Sequence, residues 1–72
     1  MIRAKMKCNS VTKTEGSENV KFSPVTAGSS KENESWSKWT PSGSLELNIT
    51  NPAVHGAFVP GVEYFIDISE VP

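Results

Sequence analysis

Apolar and polar side chains alternate strictly at the start of the chain. The apolar residues of this first segment stand at every second position: Ile2, Ala4, Met6 and Cys8. A period of two over this length is typical of a β-strand with one buried face. The period slips by one near Asn9 and Ser10, so that Val11 is the next inward residue. This slip predicts a β-bulge or a sharp bend in the first strand.

A turn and a second strand follow. Glu15, Gly16 and Ser17 form a typical turn sequence, and Val20 and Phe22 then resume the period of two. The first two strands are therefore expected to form a hairpin. Pro24 has no amide hydrogen to donate to a ladder, so the second strand should end near Ser23 or lie at a sheet edge.

The same alternation predicts two strands in the second half of the chain. The inward residues are Leu45, Leu47 and Ile49 in one strand and Val62, Tyr64, Ile66 and Ile68 in the other. Between these strands, Asn51 as N-cap and Pro52 as first helical residue predict one helical turn that ends at Gly56. We expect Phe58 to fill the core from this turn. Phe65 lies on the polar face of the last strand, which indicates a second covered face or a subunit contact.

A polar excursion over residues 26–44 separates the two halves. Ser29 followed by Glu32 matches a capping box, and Trp36 and Trp39 are spaced to share one face of a short helix that Pro41 would end. An irregular loop is the alternative for this segment. Four or five short strands with one or two helical turns predict an all-β (mainly β) fold: a small antiparallel barrel or sandwich, with residues 1–72 as a single domain.

The length of the chain points to subunit association. A chain of 72 residues buries only about 60% of the surface that its unfolded form exposes. Small domains of this kind commonly gain stability from a disulfide, a metal or a partner subunit. Cys8 is the only cysteine and His55 the only histidine, so neither an internal disulfide nor a structural zinc site is expected. We therefore predict a homo-oligomer.

The charge and hydropathy of the chain bear on its cellular location and on the kinds of partner it could bind. Seven basic and eight acidic side chains give a formal net charge of -1, which argues against binding to a nucleic-acid duplex. The apolar stretches are far shorter than the roughly 20 residues that cross a bilayer, and the first ten residues lack the apolar region of a signal peptide. No membrane association and a cytosolic location are expected.

The chemistry-bearing residues do not form a catalytic pattern. His55 has no neighbouring nucleophile and is interpreted as a surface or second-layer histidine, while Cys8 alternates inward and should be an inert buried thiol. The acids are scattered over polar strand and loop positions: Glu32, Glu34, Glu46, Glu63 and Asp67. They lack the spacing of a metal site. The sequence therefore predicts a protein that is not an enzyme and that uses no metal and no cofactor.

Unusual residue types concentrate between Trp36 and Ser44. Both tryptophans of the chain lie there with a lysine, several hydroxyls and a glycine. Aromatic faces stack on planar bases, and hydroxyls and glycine-rich backbone suit phosphate oxygens, so this combination favours a small nucleotide-like ligand. The predicted ligand-binding residues are Trp36, Lys38, Trp39, Thr40, Ser42 and Gly43. Packing of the tryptophans in a thin core and a protein interface are the alternative interpretations.

Two segments of the chain resemble known proteins. The run ENESWSKWTPSGSLELNITNP, residues 32–52, and the ending FVPGVEYFIDIS, residues 58–69, resemble a group of small, poorly characterised proteins encoded by tailed bacteriophages. The resemblance implies expression in the cytoplasm of an infected bacterium. It implies one of two roles: a protein that sequesters a small nucleotide-type host immune signal, or a structural virion protein that decorates, completes or connects the capsid and contacts other capsid proteins.

Overall fold

Four antiparallel strands make up the sheet of the protein in a computed structural model that describes residues 2–26, 31–37 and 40–72. The strands are β1 (Ile2–Thr14), β2 (Ser17–Pro24), β3 (Leu45–Ile49) and β4 (Glu63–Ile68). Two 3-10 turns accompany them, η1 (Asn33–Ser35) and η2 (Pro52–Val54). The strands lie in the order β3-β2-β1-β4 and curl into a half-barrel. The predicted mainly β fold is confirmed.

Strand β1 contains the predicted bulge. Its register against β2 shifts between Cys8 and Ser10, so that Asn9 is the extra residue. Beyond the shift Val11 faces Val20, as the slip in the alternation indicated. The Asn9 side chain bonds across the strands, with Nδ2 donating to Ser23 Oγ at 2.9 Å. The bulge keeps Cys8 and Val11, on either side of the extra residue, on the same concave face of the sheet.

The core lies on the concave face of the sheet. Cys8, Val20 and Phe22 are buried there. The Phe22 ring meets Phe58 and Tyr64 edge-on, with centroids 5.3 and 5.9 Å away. Phe58 and Tyr64 are themselves 5.2 Å apart, so the three rings form one cluster. The prediction that Phe58 fills the core is confirmed.

The turn η2 has the predicted cap. Asn51 Oδ1 accepts a hydrogen bond from the amide of Ala53 at 3.0 Å, and Pro52 is the first residue of the turn. Gly56 follows with φ of +82°, a backbone conformation that glycine adopts without steric cost. Further along the loop, the amide of Val59 donates to the Tyr64 hydroxyl at 2.9 Å. These bonds hold the loop that carries Phe58 over the core.

The described part of residues 26–44 contains less helix than its capping box indicated. It forms only the turn Asn33–Ser35, and Glu32 at the N-cap makes no capping side-chain bond. Ser29 and Trp39, the other anchors of the predicted helix, lie outside the described residues. In the parts of the chain that the structure describes, no helix is long and apolar enough to cross a membrane.

Candidate ligand pocket

Asn33 fixes the position of η1 against the sheet. Its Oδ1 accepts from the amide of Lys5 at 2.7 Å, and its Nδ2 donates to the carbonyl oxygens of Lys5 and Val25, each at 3.0 Å. The side-chain amide thus pairs with β1 just beyond Pro24, where β2 ends. Only 1% of the residue is exposed, so a polar side chain is buried here with its bonding groups satisfied.

Trp36 takes its orientation from Asn33. The indole Nε1–H donates to Asn33 Oδ1 at 3.1 Å. Beside it, Ser35 Oγ donates to the Arg3 carbonyl at 3.2 Å, which ties the segment to the first residues of β1. Because the indole N–H is already engaged, Trp36 offers a ligand its ring and not its hydrogen-bond donor.

A pocket of about 210 Å³ lies beside the Trp36 ring on the concave face. One side consists of apolar residues of β1 and β4, and the other of Trp36 and the loop before β3. The described lining residues are Ile2, Ala4, Met6, Trp36, Ser42, Gly43, Ser44 and Ile68. An aromatic ring, an apolar floor and a rim of two hydroxyls suit a flat ring system with a polar edge.

The six predicted binding residues have different places in the structure. Trp36, Ser42 and Gly43 line the pocket together. Thr40 is exposed and lies outside the lining found among the described residues. Lys38 and Trp39 lie outside the part of the chain that the structure describes. The side chains of Ile2, Ala4, Met6 and Ile68 were not predicted as lining, although the period of two places them on the concave face.

A second pocket, of about 240 Å³, lies at the hairpin end of the concave face. It contains Glu18, which is buried with 3% exposure. Glu18 Oε1 accepts from the amide of Gly56 at 3.1 Å, and Oε2 lies 4.0 Å from the ammonium group of Lys13. The carboxylate therefore ties the loop after η2 to β2. Glu18 is not among the residues predicted from the sequence, although the period that turns Val20 and Phe22 inward also turns Glu18 inward.

The other chemistry-bearing residues stay apart. Among residues 2–26, 31–37 and 40–72, no three His, Cys, Asp or Glu side chains come together in a way that could hold a metal ion. The exposed His55 ring lies with Nε2 3.2 Å from the carbonyl oxygen of Ile49, so the imidazole contacts the end of β3. Cys8 is a buried free thiol.

The convex face of β1 and β4 carries paired charges around Phe65. Arg3 Nε donates to Asp67 Oδ1 at 2.7 Å, and this bond holds the pKa of Asp67 below its ordinary value. The Arg3 guanidinium also lies over the Phe65 ring, 5.1 Å from its centroid. Phe65 is nevertheless 53% exposed, so this chain leaves the second face of β4 open.

In comparisons with known proteins, no family model, no curated protein and no solved structure matches this chain.

Proposed function

We propose that the protein is a non-enzymatic binder that sequesters a small nucleotide-type ligand, with the base held in the pocket beside Trp36. The carrying observation is the convergence of Trp36, Ser42 and Gly43 on one apolar pocket. The Trp36 ring stacks on the base, while Ser42, Ser44 and the backbone at Gly43 bond the polar edge or the adjoining phosphate.

The size of the pocket supports a ligand that is only partly enclosed by one chain. Pockets that enclose a drug-sized ligand measure about 300–1,000 Å³. At about 210 Å³ the pocket accommodates one ring system and leaves the rest of a larger nucleotide outside. A homo-oligomer would cover the remainder with a second subunit.

The resemblance to small phage proteins supports a biological role for such binding. A protein of this kind acts in the cytoplasm of an infected bacterium, where it lowers the free concentration of a nucleotide immune signal. Sequestration needs affinity and abundance, and no bond has to be made or broken.

Thermal-shift and calorimetric titration of the full chain with cyclic di- and trinucleotides and ADP-ribose derivatives tests the proposal. We expect one class to raise the Tm, and Trp36→Leu to weaken its binding about tenfold or more because the stacking face is lost. Trp36→Phe is the matched control, since it also loses the indole bond to Asn33 but keeps an aromatic face. If no compound binds, or if the Leu and Phe variants bind equally well, the proposal fails.

A structural virion protein is the second candidate, and the exposure of Phe65 favours it. An aromatic side chain that is 53% exposed on an otherwise polar face is suited to contact another capsid protein. Mass spectrometry of purified virions of the phage that encodes the chain separates the two candidates. Stoichiometric incorporation supports the virion role, and its absence supports the sequestering role.

A further inference from the structure

The outer edge of β3 is open for pairing. β3 stands at one end of the strand order, and its described ladder partner is β2 alone. Leu47, the middle residue, is 40% exposed on the concave face. Soluble proteins commonly protect such an edge with lysine, proline or a bulge. Residues 45–49 contain neither of these residue types, and their pairing with β2 is regular.

We propose that two copies of the chain associate through β3, in antiparallel orientation about a two-fold axis at Leu47. The two half-barrels then share one continuous sheet. The axis must pass through a residue, because side chains that face each other across the new ladder have to lie on the same face of the sheet.

The side chains of β3 complement themselves in this register. On the concave face Leu47 meets its own copy, and Leu45 meets Ile49 of the partner subunit. On the convex face Glu46 meets the partner's Asn48, whose amide can donate to the carboxylate. Glu46 is the only charged residue of the strand, so like charges do not face each other.

The other free edge, β4, is less suited to pairing with itself. An axis at Phe65 places Glu63 opposite the partner's Asp67 at both ends of the ladder, and because these carboxylates are already paired with Lys5 and Arg3 of their own chain, the contact gains no charge complementarity. An axis at Ile66 instead sets Asp67 against the partner's Phe65. The charge pattern therefore selects β3 as the edge that joins two copies.

Sedimentation equilibrium of the full chain across a wide concentration range tests this interface. Asn48→Glu places the new carboxylate opposite the partner's Glu46 on both sides of the two-fold axis. We expect this repulsion to raise the dimer Kd about tenfold. Asn48→Lys is the matched control at the same exposed position, and it should leave the dimer as stable or tighten it. Combining Asn48→Glu with Glu46→Lys restores opposite charges and should recover the Kd of the unaltered chain.

Two results would overturn the interface. One is an unaltered protein that stays monomeric at every concentration, and the other is an equal Kd for Asn48→Glu and Asn48→Lys. Circular dichroism of dilute samples checks that each variant is folded. The interface extends the homo-oligomer of the proposed function but does not depend on the pocket, so a monomer that binds nucleotides would refute the interface alone.

Discussion

Asn33 substitutes for a strand residue beside β1. Strand β2 ends at Pro24, which leaves the amide and carbonyl of Lys5 without a ladder partner from that strand. The Asn33 side chain supplies a donor and an acceptor in nearly the geometry of a peptide group, and the amide of Val25 also donates to the Lys5 carbonyl at 3.0 Å. One side chain thereby orders η1 and, through the indole of Trp36, one wall of the pocket.

Asn33→Ala is expected to lower the free energy of unfolding by about 3 kcal/mol. The substitution leaves the Lys5 amide and the Val25 carbonyl in a partly buried place without their Asn33 partner, and each such group costs about 1–3 kcal/mol. Urea denaturation followed by far-UV circular dichroism measures the loss. Ser69→Ala, at an exposed position just after β4, is the control and should change the stability by less than about 0.5 kcal/mol. Equal losses for the two variants would contradict the role of Asn33.

The bulge in β1 affects how this strand pairs with its two neighbours, β2 and β4. β4 pairs with residues 2–7, before the bulge, while β2 pairs on both sides of it. The extra residue lets both halves of the long strand present apolar side chains to the same concave face. The pattern of apolar residues was sufficient to predict this element, because Cys8 and Val11 can face inward together only if one residue between them is left unpaired.

Deletion of Asn9 should leave the fold intact. Without Asn9 the ladder between β1 and β2 becomes regular, because the pair Cys8–Phe22 is followed directly by the pair Ser10–Lys21. We expect the free energy of unfolding to fall by about 1 kcal/mol, because the hydrogen bonds between Asn9 and Ser23 are lost. Deletion of Lys21 makes Val20 and Phe22 consecutive in β2, where no bulge absorbs the change, so the two side chains can no longer share the concave face and the deletion should prevent folding. Two-dimensional amide spectra of the two proteins distinguish these outcomes. A dispersed spectrum for the Lys21 deletion would refute the importance of the phase.

The whole molecule relies on one thin core. Described apolar side chains at the margins of the concave face, Ile2, Leu47 and Ile68, are 41%, 40% and 58% exposed. The fully buried centre consists of few side chains, with Phe22 as the largest. At about 0.05–0.15 kcal/mol per residue, a chain of 72 residues has a total stability of about 4–11 kcal/mol. A single core substitution can therefore remove much of it.

Phe22→Ala is expected to cost about 3–5 kcal/mol, a large share of that total stability, and to lower the Tm by roughly 12–40 °C. Phe65→Ala removes the same side chain from the convex face, where it is 53% exposed, and should cost less than about 1 kcal/mol. Thermal unfolding followed by circular dichroism compares the two proteins. Similar melting temperatures would show that the aromatic cluster is not the main source of stability.

The period of two was sufficient to predict the strands and the hairpin, because both depend on neighbours close in sequence, and the cap signal of Asn51 and Pro52 predicted the turn that places Phe58 over the core. The pocket depends on contacts between distant segments. Trp36 reaches the floor around Ala4 through the bonds of Asn33 to Lys5, which is 28 positions earlier in the chain, and through the bond of Ser35 to Arg3. From its sequence neighbours, Asn33 is expected to be an exposed polar residue in a loop. The local pattern does not show that its side-chain amide bonds the backbone of Lys5 in β1.

Because Cys8 is buried, the reactivity of its thiol reports how often the core of the protein opens. The thiol is 1% exposed in the middle of the core and is the only one in the protein. A disulfide reagent in solution reaches it only when the loop that carries Phe58 separates from the sheet, so the rate of labelling follows the frequency of that opening. Any bound molecule that clamps the concave face would slow the reaction, which gives an assay of occupancy without a dye or an engineered tag.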